Sequence, residues 1–148
     1  MTPAKNEQAV ALDGALADLL DLGLLAKQAH WNLVGPRIPS MHPLLDELAD
    51  TARDSASRIA ERSVILGHSA DGRAATVVAL SSLTSLEPGS LRDVEAIKAF
   101  GDILEAVTTR IQSALDAFEM DLVTTDLFTG ILAAVERFAW LLRAQGNQ

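Results

Sequence analysis

The sequence predicts an all-α fold, a four-helix bundle with one long crossover. Three observations carry this reading. Apolar residues recur at helical intervals over four long segments, no segment alternates as a strand would, and the Gly- and Pro-marked breaks between helices run short, long, short. With 148 residues, of which 49% are hydrophobic and 22% charged, the chain can bury one core, so a single domain is expected over residues 1–148 with short tails at 1–5 and 146–148.

The first helix is expected from about Lys5 to Asn32, where Val10, Leu12, Leu16, Leu19, Leu20, Leu24 and Leu25 form the apolar set and Asp13, Asp18 and Asp21 fall between them. Val34-Gly35-Pro36-Arg37-Ile38-Pro39 breaks it, because proline lacks an amide hydrogen and disfavours helix in its predecessor. Ser40 is the expected cap of a second helix that tolerates Pro43 in its first turn, runs to about Leu66 and stops at Gly67. Residues 68–90 read as a connector, with Asp71-Gly72 and Pro88-Gly89-Ser90 as loop signals around a short apolar piece, Ala74 to Leu83, that can hold a helical turn or more. A third helix is expected from Asp93 as cap through Phe100, Ile103, Leu104, Val107, Ile111 and Leu115 to Phe118, and a fourth from about Thr125 to Gln145, stopped at Gly146. One crossover between the second and third helices is the ferritin-like topology.

Composition narrows the chemistry. There is no cysteine, which excludes disulfides, thiol nucleophiles and thiolate metal sites, so any metal must be held by imidazole or oxygen. A net charge of −8 repels nucleic acid and anionic membranes and suits cationic partners, metal ions among them. No run approaches the roughly 18 apolar residues of a membrane span, and Met1 to Gln8 lacks a signal-peptide pattern, so a soluble, cytoplasmic protein is expected.

Two of the three histidines flank the first turn, His30 ending one helix and His42 opening the next, and Asp46 lies one helical turn beyond His42. Two imidazoles and a carboxylate suit Fe(II), Zn(II) or Mn(II). The same histidines also fit plain roles as helix-end hydrogen bonders. Glu61 lies fifteen residues beyond Asp46 on the same helix, about 22 Å along its axis. The two cannot share one ion within one chain. Either Glu61 reaches the site from a two-fold-related subunit, or it is a surface residue paired with Arg58 or Arg62. None of the eight glutamates is followed three residues later by histidine, so a carboxylate di-iron centre inside the bundle is not expected.

Lys27-Gln28-Ala29-His30-Trp31-Asn32-Leu33-Val34-Gly35-Pro36, then His42-Pro43-Leu44-Leu45-Asp46-Glu47 and Ile59-Ala60-Glu61-Arg62, resembles the Dps family of mini-ferritins, the DNA-binding proteins from starved cells. Thr125-Asp126-Leu127-Phe128 and Ala139-Trp140-Leu141-Leu142 are similar to the family's ending, so the resemblance covers nearly the whole chain outside the connector and tails. It implies a hollow homododecamer that oxidises Fe(II), preferentially with hydrogen peroxide, and stores ferric mineral against oxidative stress. Its metal ligands fall on His30, His42 and Asp46 of one subunit and Glu61 of the two-fold partner. Iron is the implied metal, and Zn or Mn suits the same ligands.

One implied ligand is missing, since Ser57 stands where the family carries a second carboxylate one turn before the glutamate. Asp54 points about 60° away from Ser57 on the helix. The alternative reading is therefore a structural or protective shell, mixed with other subunits or DNA-associated, whose ferroxidase site has degenerated. Trp31 beside the site suits either interception of stray radicals or filling of a dimer interface, and Lys27 is placed to pair with Asp46 when metal is absent or to lie solvated. Glu119, Asp121 and Asp126 cluster near the last turn, where the family lines pores with acid; Asp126 equally suits a helix N-terminus. Lys5 is the one basic residue among the first eight, so DNA binding through a lysine-rich tail is expected to be weak or absent.

Overall fold

The computed structural model describes residues 2–147. Its elements are α1 (Pro3–Asn32), β1 (Leu33–Val34), α2 (Ile38–Ile65), α3 (Ala74–Leu80), β2 (Leu91–Arg92), α4 (Asp93–Leu115), a 3-10 turn (Asp116–Phe118) and α5 (Leu122–Gly146). The four long helices and the crossover thus form as the periodicity predicts. The apolar stretch of the connector becomes α3, and four residues join in a short parallel ladder, Leu33 with Leu91 and Val34 with Arg92, that has no pattern in the sequence.

Helix ends differ from expectation for local reasons. Helix α1 begins earlier, with the Thr2 hydroxyl accepting the Lys5 amide at 3.3 Å, and α5 continues through Gly146, so the tails are shorter than expected; Met1 and Gln148 lie outside the described residues. Ser40 is not a cap. Helix α2 already starts at Ile38, and Ser40 in its first turn bonds the Gln145 side chain at 2.7 Å instead. Pro43 consequently sits in the second turn, where it contributes no amide to the helix. Gly67 does stop α2: at φ +89° it lets its own amide reach the Val64 carbonyl at 3.0 Å and the His68 amide reach the Ser63 carbonyl at 2.9 Å, the paired bonds that close a helix on a left-handed residue.

The core lies between the four long helices, with Phe100, Phe118, Phe128 and Phe138 fully buried among leucines and isoleucines. Each such side chain contributes about 1.5–3 kcal/mol by leaving water. Helix α1 has no clean polar face, because α2 and α4 cover one side and the crossover with α3 covers another. Val10 and Leu24, read from periodicity as part of its apolar set, point outward, whereas Asp18 is 1% exposed. That carboxylate accepts from the Ser82 amide and hydroxyl, both at 2.7 Å, and from Arg110 Nε at 3.2 Å, while Asp21 accepts from Ser81 at 2.6 Å. The crossover is strapped to α1 by these two aspartates.

Asp93 was expected to cap the third helix; it is instead the first residue of α4, buried at 3% exposure. One carboxylate oxygen accepts the Arg37 amide at 2.9 Å with the Arg37 guanidinium 3.5 Å away, and the other accepts the Val94 amide. The Arg37 amide holds this carboxyl below its ordinary range against the effect of burial. Gly35 makes the approach possible, since its φ is +126° and a Cβ there would lie 2.6 Å from the Asp93 carboxyl. Gly35→Ala is expected to destabilise the protein by about 1–3 kcal/mol. Gly101→Ala, in the exposed interior of α4 with nothing within 4 Å of a new Cβ, should stabilise by about 0.5–1 kcal/mol. Opposite shifts of the denaturant midpoint check the pair.

Candidate metal centre

The turn that Asp93 anchors brings the ends of α1 and α2 side by side, and the two flanking histidines meet there. The rings of His30 and His42 stack with centroids 3.6 Å apart and planes 24° from parallel. His30 Nδ1 lies 2.7 Å from the His42 carbonyl oxygen. A carbonyl can only accept, so Nδ1 carries the hydrogen, and in the neutral form of the ring the lone pair is on Nε2. A backbone hydrogen bond of this kind fixes both the tautomer and the ring direction that a metal-binding imidazole needs.

Asp46 stands one turn beyond His42 on α2, and its carboxylate is held by the Lys27 ammonium, which reaches across from α1. Lys27 is therefore paired with Asp46 and not solvated. The Lys27 hydrogen bond, opposed by partial burial and helped by the charges of Lys27, His30 and His42, keeps the Asp46 carboxyl below its ordinary range. Two imidazoles, one carboxylate and one ammonium thus share a patch at one end of the bundle. Among the described residues, no three His, Asp or Glu side chains of this single chain are grouped as a metal site.

Of the remaining predicted residues, Ser57 and Glu61 lie further along α2 and Trp31 at the end of α1. Ser57 and Glu61 are both exposed, and the Glu61 carboxylate makes no hydrogen bond or ion pair among the described residues. The surface pairing of Glu61 with Arg62 does not form, because Arg62 turns to Thr124 Oγ1 at 2.8 Å and to Asp121 at 3.0 Å. Trp31 is 69% exposed and lines a groove with Leu24, Lys27, Arg53 and Val78. Periodicity did not reveal Arg37, Asp93 or Gly35, which place the histidines. The Gly-Pro pair after a helix end was the one local sign that a special backbone was needed there.

Comparison with known proteins agrees with this architecture. The ferritin-like domain family matches residues 9–148. The chain is 36% identical over 135 residues to DNA protection during starvation protein 2 of Deinococcus radiodurans, covering 90% of this chain and 56% of that protein, so it spans little more than half of that relative. It is 32% identical to the DNA protection during starvation protein of Agrobacterium fabrum, covering 95% of this chain and 88% of that one. The solved structure of Dps from Microbacterium arborescens in its high iron form superposes with a TM-score of 0.91 at 31% identity over 100% of this chain and 98% of that one. Among the described residues no helix is long and apolar enough to cross a membrane.

The three carboxylates expected around the last turn divide between two roles; α5 starts at Leu122, ahead of the expected Thr125, so Asp126 lies in its second turn and not at its N-terminus. Asp121 caps α5, accepting the Thr124 amide at 3.1 Å and the Thr124 hydroxyl, and it also pairs with Arg62. Glu119 and Asp126 are exposed and unpaired among the described residues. Burial would raise the Asp121 carboxyl, but the two Thr124 bonds and Arg62 outweigh it and lower it from 3.8 to about 2. A depressed carboxylate adds stability that is fully present above its unfolded value and disappears as pH falls through the folded one. Asp121→Asn should therefore lower the urea midpoint at pH 7 and flatten its decline between about pH 4 and pH 2, while leaving the dependence above that window unchanged.

Proposed function

The chain belongs to the Dps family of ferritin-like proteins, a family of iron-binding and iron-storing proteins, and we propose that it is the subunit of a closed homo-oligomeric shell that takes up Fe(II), oxidises it and retains the ferric product. The observation that carries the reading is the paired His30 and His42 beside Asp46 at the α1–α2 turn, with Nε2 of His30 left free. Fe(II) is substrate here. His30, His42 and Asp46 hold it from one subunit, and Glu61 of a two-fold partner, unpaired on the same face of α2, completes the site.

The one-chain half is incomplete by charge as well as by number. Two neutral imidazoles and one carboxylate bind a divalent ion loosely, and a second carboxylate from across a two-fold axis turns a weak half-site into a closed one. Oxidation then couples two Fe(II) ions, each losing one electron, to one hydrogen peroxide that takes up both electrons and two protons and leaves as two waters. Peroxide consumed in this way yields no hydroxyl radical. Glu119 and Asp126 supply an unneutralised negative field at the α4–α5 turn, which concentrates cations at a pore. A dodecameric shell in the cytoplasm is the assembly and address this reading takes. A shell of subunits at −8 each disfavours direct contact with DNA.

Ser57 favours a second reading. It is exposed on the α2 face between Asp46 and Glu61 and offers a neutral hydroxyl where a carboxylate would hold the second metal position. A shell that no longer turns over iron, acting as a structural or protective protein, is the alternative.

Fe(II) oxidation by assembled, metal-free protein, followed by ferric absorbance with peroxide and with oxygen, tests both. The expected result is oxidation faster than the protein-free control, with peroxide preferred. Replacing His30 and His42 together by alanine should abolish tight anaerobic Fe(II) binding and leave the shell intact by light scattering; unchanged binding would sink the assignment. Ser57→Asp should raise the oxidation rate modestly. A large rise from near zero would place the degenerate reading first.

A further inference from the structure

We propose that Lys27 is a built-in competitor for the metal position, a tethered cation that occupies Asp46 until a divalent ion displaces it into the neighbouring groove beside Trp31. The inference rests on the proposed metal site and assigns its regulation. Among the proposed ligands from this one chain, Asp46 supplies the only negative charge, and that charge is already bound to the Lys27 ammonium. An arriving divalent ion cannot share the carboxylate with an ammonium without like-charge repulsion, so binding here is an exchange of one cation for another. Monovalent ions gain too little from one carboxylate to drive it, whereas a divalent ion also collects the two imidazoles, which the ammonium cannot use.

The surroundings give the displaced side chain somewhere to go. Lys27 lines a groove of 720 Å³ with Leu24, Trp31, Val77 and Val78 on the apolar side and Arg53 beyond. Its aliphatic stem can stay against that wall while the charged end swings. Trp31, one helical turn further along α1 and largely exposed, lines the same groove and is the aromatic residue assigned to receive the released ammonium. The Lys27 and Asp46 side chains are 30% and 43% exposed. A half-exposed ion pair corresponds to about a two- to five-fold effect on a competing equilibrium.

The test uses the assembled, metal-free protein, with Zn(II) as the probe because it neither oxidises nor consumes peroxide, and chelator competition as the readout. Lys27→Met, with Lys27→Gln as a second variant should the first assemble poorly, is expected to bind Zn(II) about two- to five-fold more tightly than the parent. Lys27→Arg, which keeps the cation, should bind no more tightly than the parent. In a Trp140→Phe background Trp31 is the one indole left, and Zn(II) should change its fluorescence when Lys27 is present but not when it is methionine. Equal or weaker Zn(II) binding by both neutral variants overturns the proposal, as does a Trp31 signal that ignores Lys27. The variant lacking both histidines separates the two readings. If it still binds Zn(II) like the parent, the metal lies elsewhere and both fail; if it does not bind while the Lys27 variants match the parent, only the competitor role fails.

Discussion

The contact between the Asp93 carboxylate and Arg37 sets the geometry on which the candidate site depends. It joins the first residue of α4 to the turn between α1 and α2 across 56 residues of sequence. Two adjacent helices joined by a short turn can meet at several offsets, and each offset places the last residue of one and the first of the other differently. Here the turn is held from outside: the Arg37 amide is committed to Asp93, Leu33 and Val34 are laddered to Leu91 and Arg92, and the Arg37 side chain reaches on to the Gln145 carbonyl at 3.0 Å. Three later segments of chain therefore hold one turn. The stacking of His30 on His42 follows from that restraint, since neither ring is locked by deep burial of its own.

The crossover plays a matching part further along α1. Asp18 and Asp21 grip Ser82 and Ser81, and Arg110 joins Asp18 to the Leu80 carbonyl at 2.8 Å. A buried carboxylate is costly unless its lone pairs are satisfied, and Asp18 has an amide, a hydroxyl and a guanidinium. The strap keeps α3 against α1 and so forms the outer wall of the groove beside Lys27 and Trp31. Carboxylates fix the connector on both sides of its last loop, Asp18 and Asp21 at Ser82 and Ser81 before it and Asp93 after it.

This pattern explains what could be read from the sequence. Helical periodicity reports the faces of one element, so the four long helices and the single crossover were legible, and so was the meeting of His30 with His42, which lie twelve residues apart around one turn. The distance of Glu61 from Asp46 was legible too, as a length along one helix. Asp18 and Asp93 were not, because each is satisfied by a residue 56 or more positions away and nothing nearby marks it as buried. Reading Asp18 as one of the polar residues of α1 failed for the same reason that Val10 and Leu24 proved exposed. A helix covered on more than one side has no single apolar stripe, and its pattern no longer points to one core. Ser40 lost its expected capping role to a turn geometry imposed from α4 and α5, which no window around residue 40 contains.

The charges around the candidate centre bear on how iron would pass through it. Asp46 and Glu61 carry carboxylates, Lys27 an ammonium, and Ser57, one helical turn before Glu61, a neutral hydroxyl. A site built to retain a trivalent product would carry more carboxylate and no ammonium, because trivalent iron is a hard cation that holds oxygen anions tightly. On the proposed reading, serine in place of a carboxylate and a lysine seated on Asp46 both weaken retention. For a shell that is to accumulate mineral in its interior this is the useful direction, since each ion must leave the site where it is oxidised before the next can enter. Loose binding then costs affinity for Fe(II), which a negatively charged shell can offset by raising the local cation concentration. Under the proposed function the net charge of −8 per chain and the under-charged site are two halves of one arrangement, attraction belonging to the whole molecule and release to the centre.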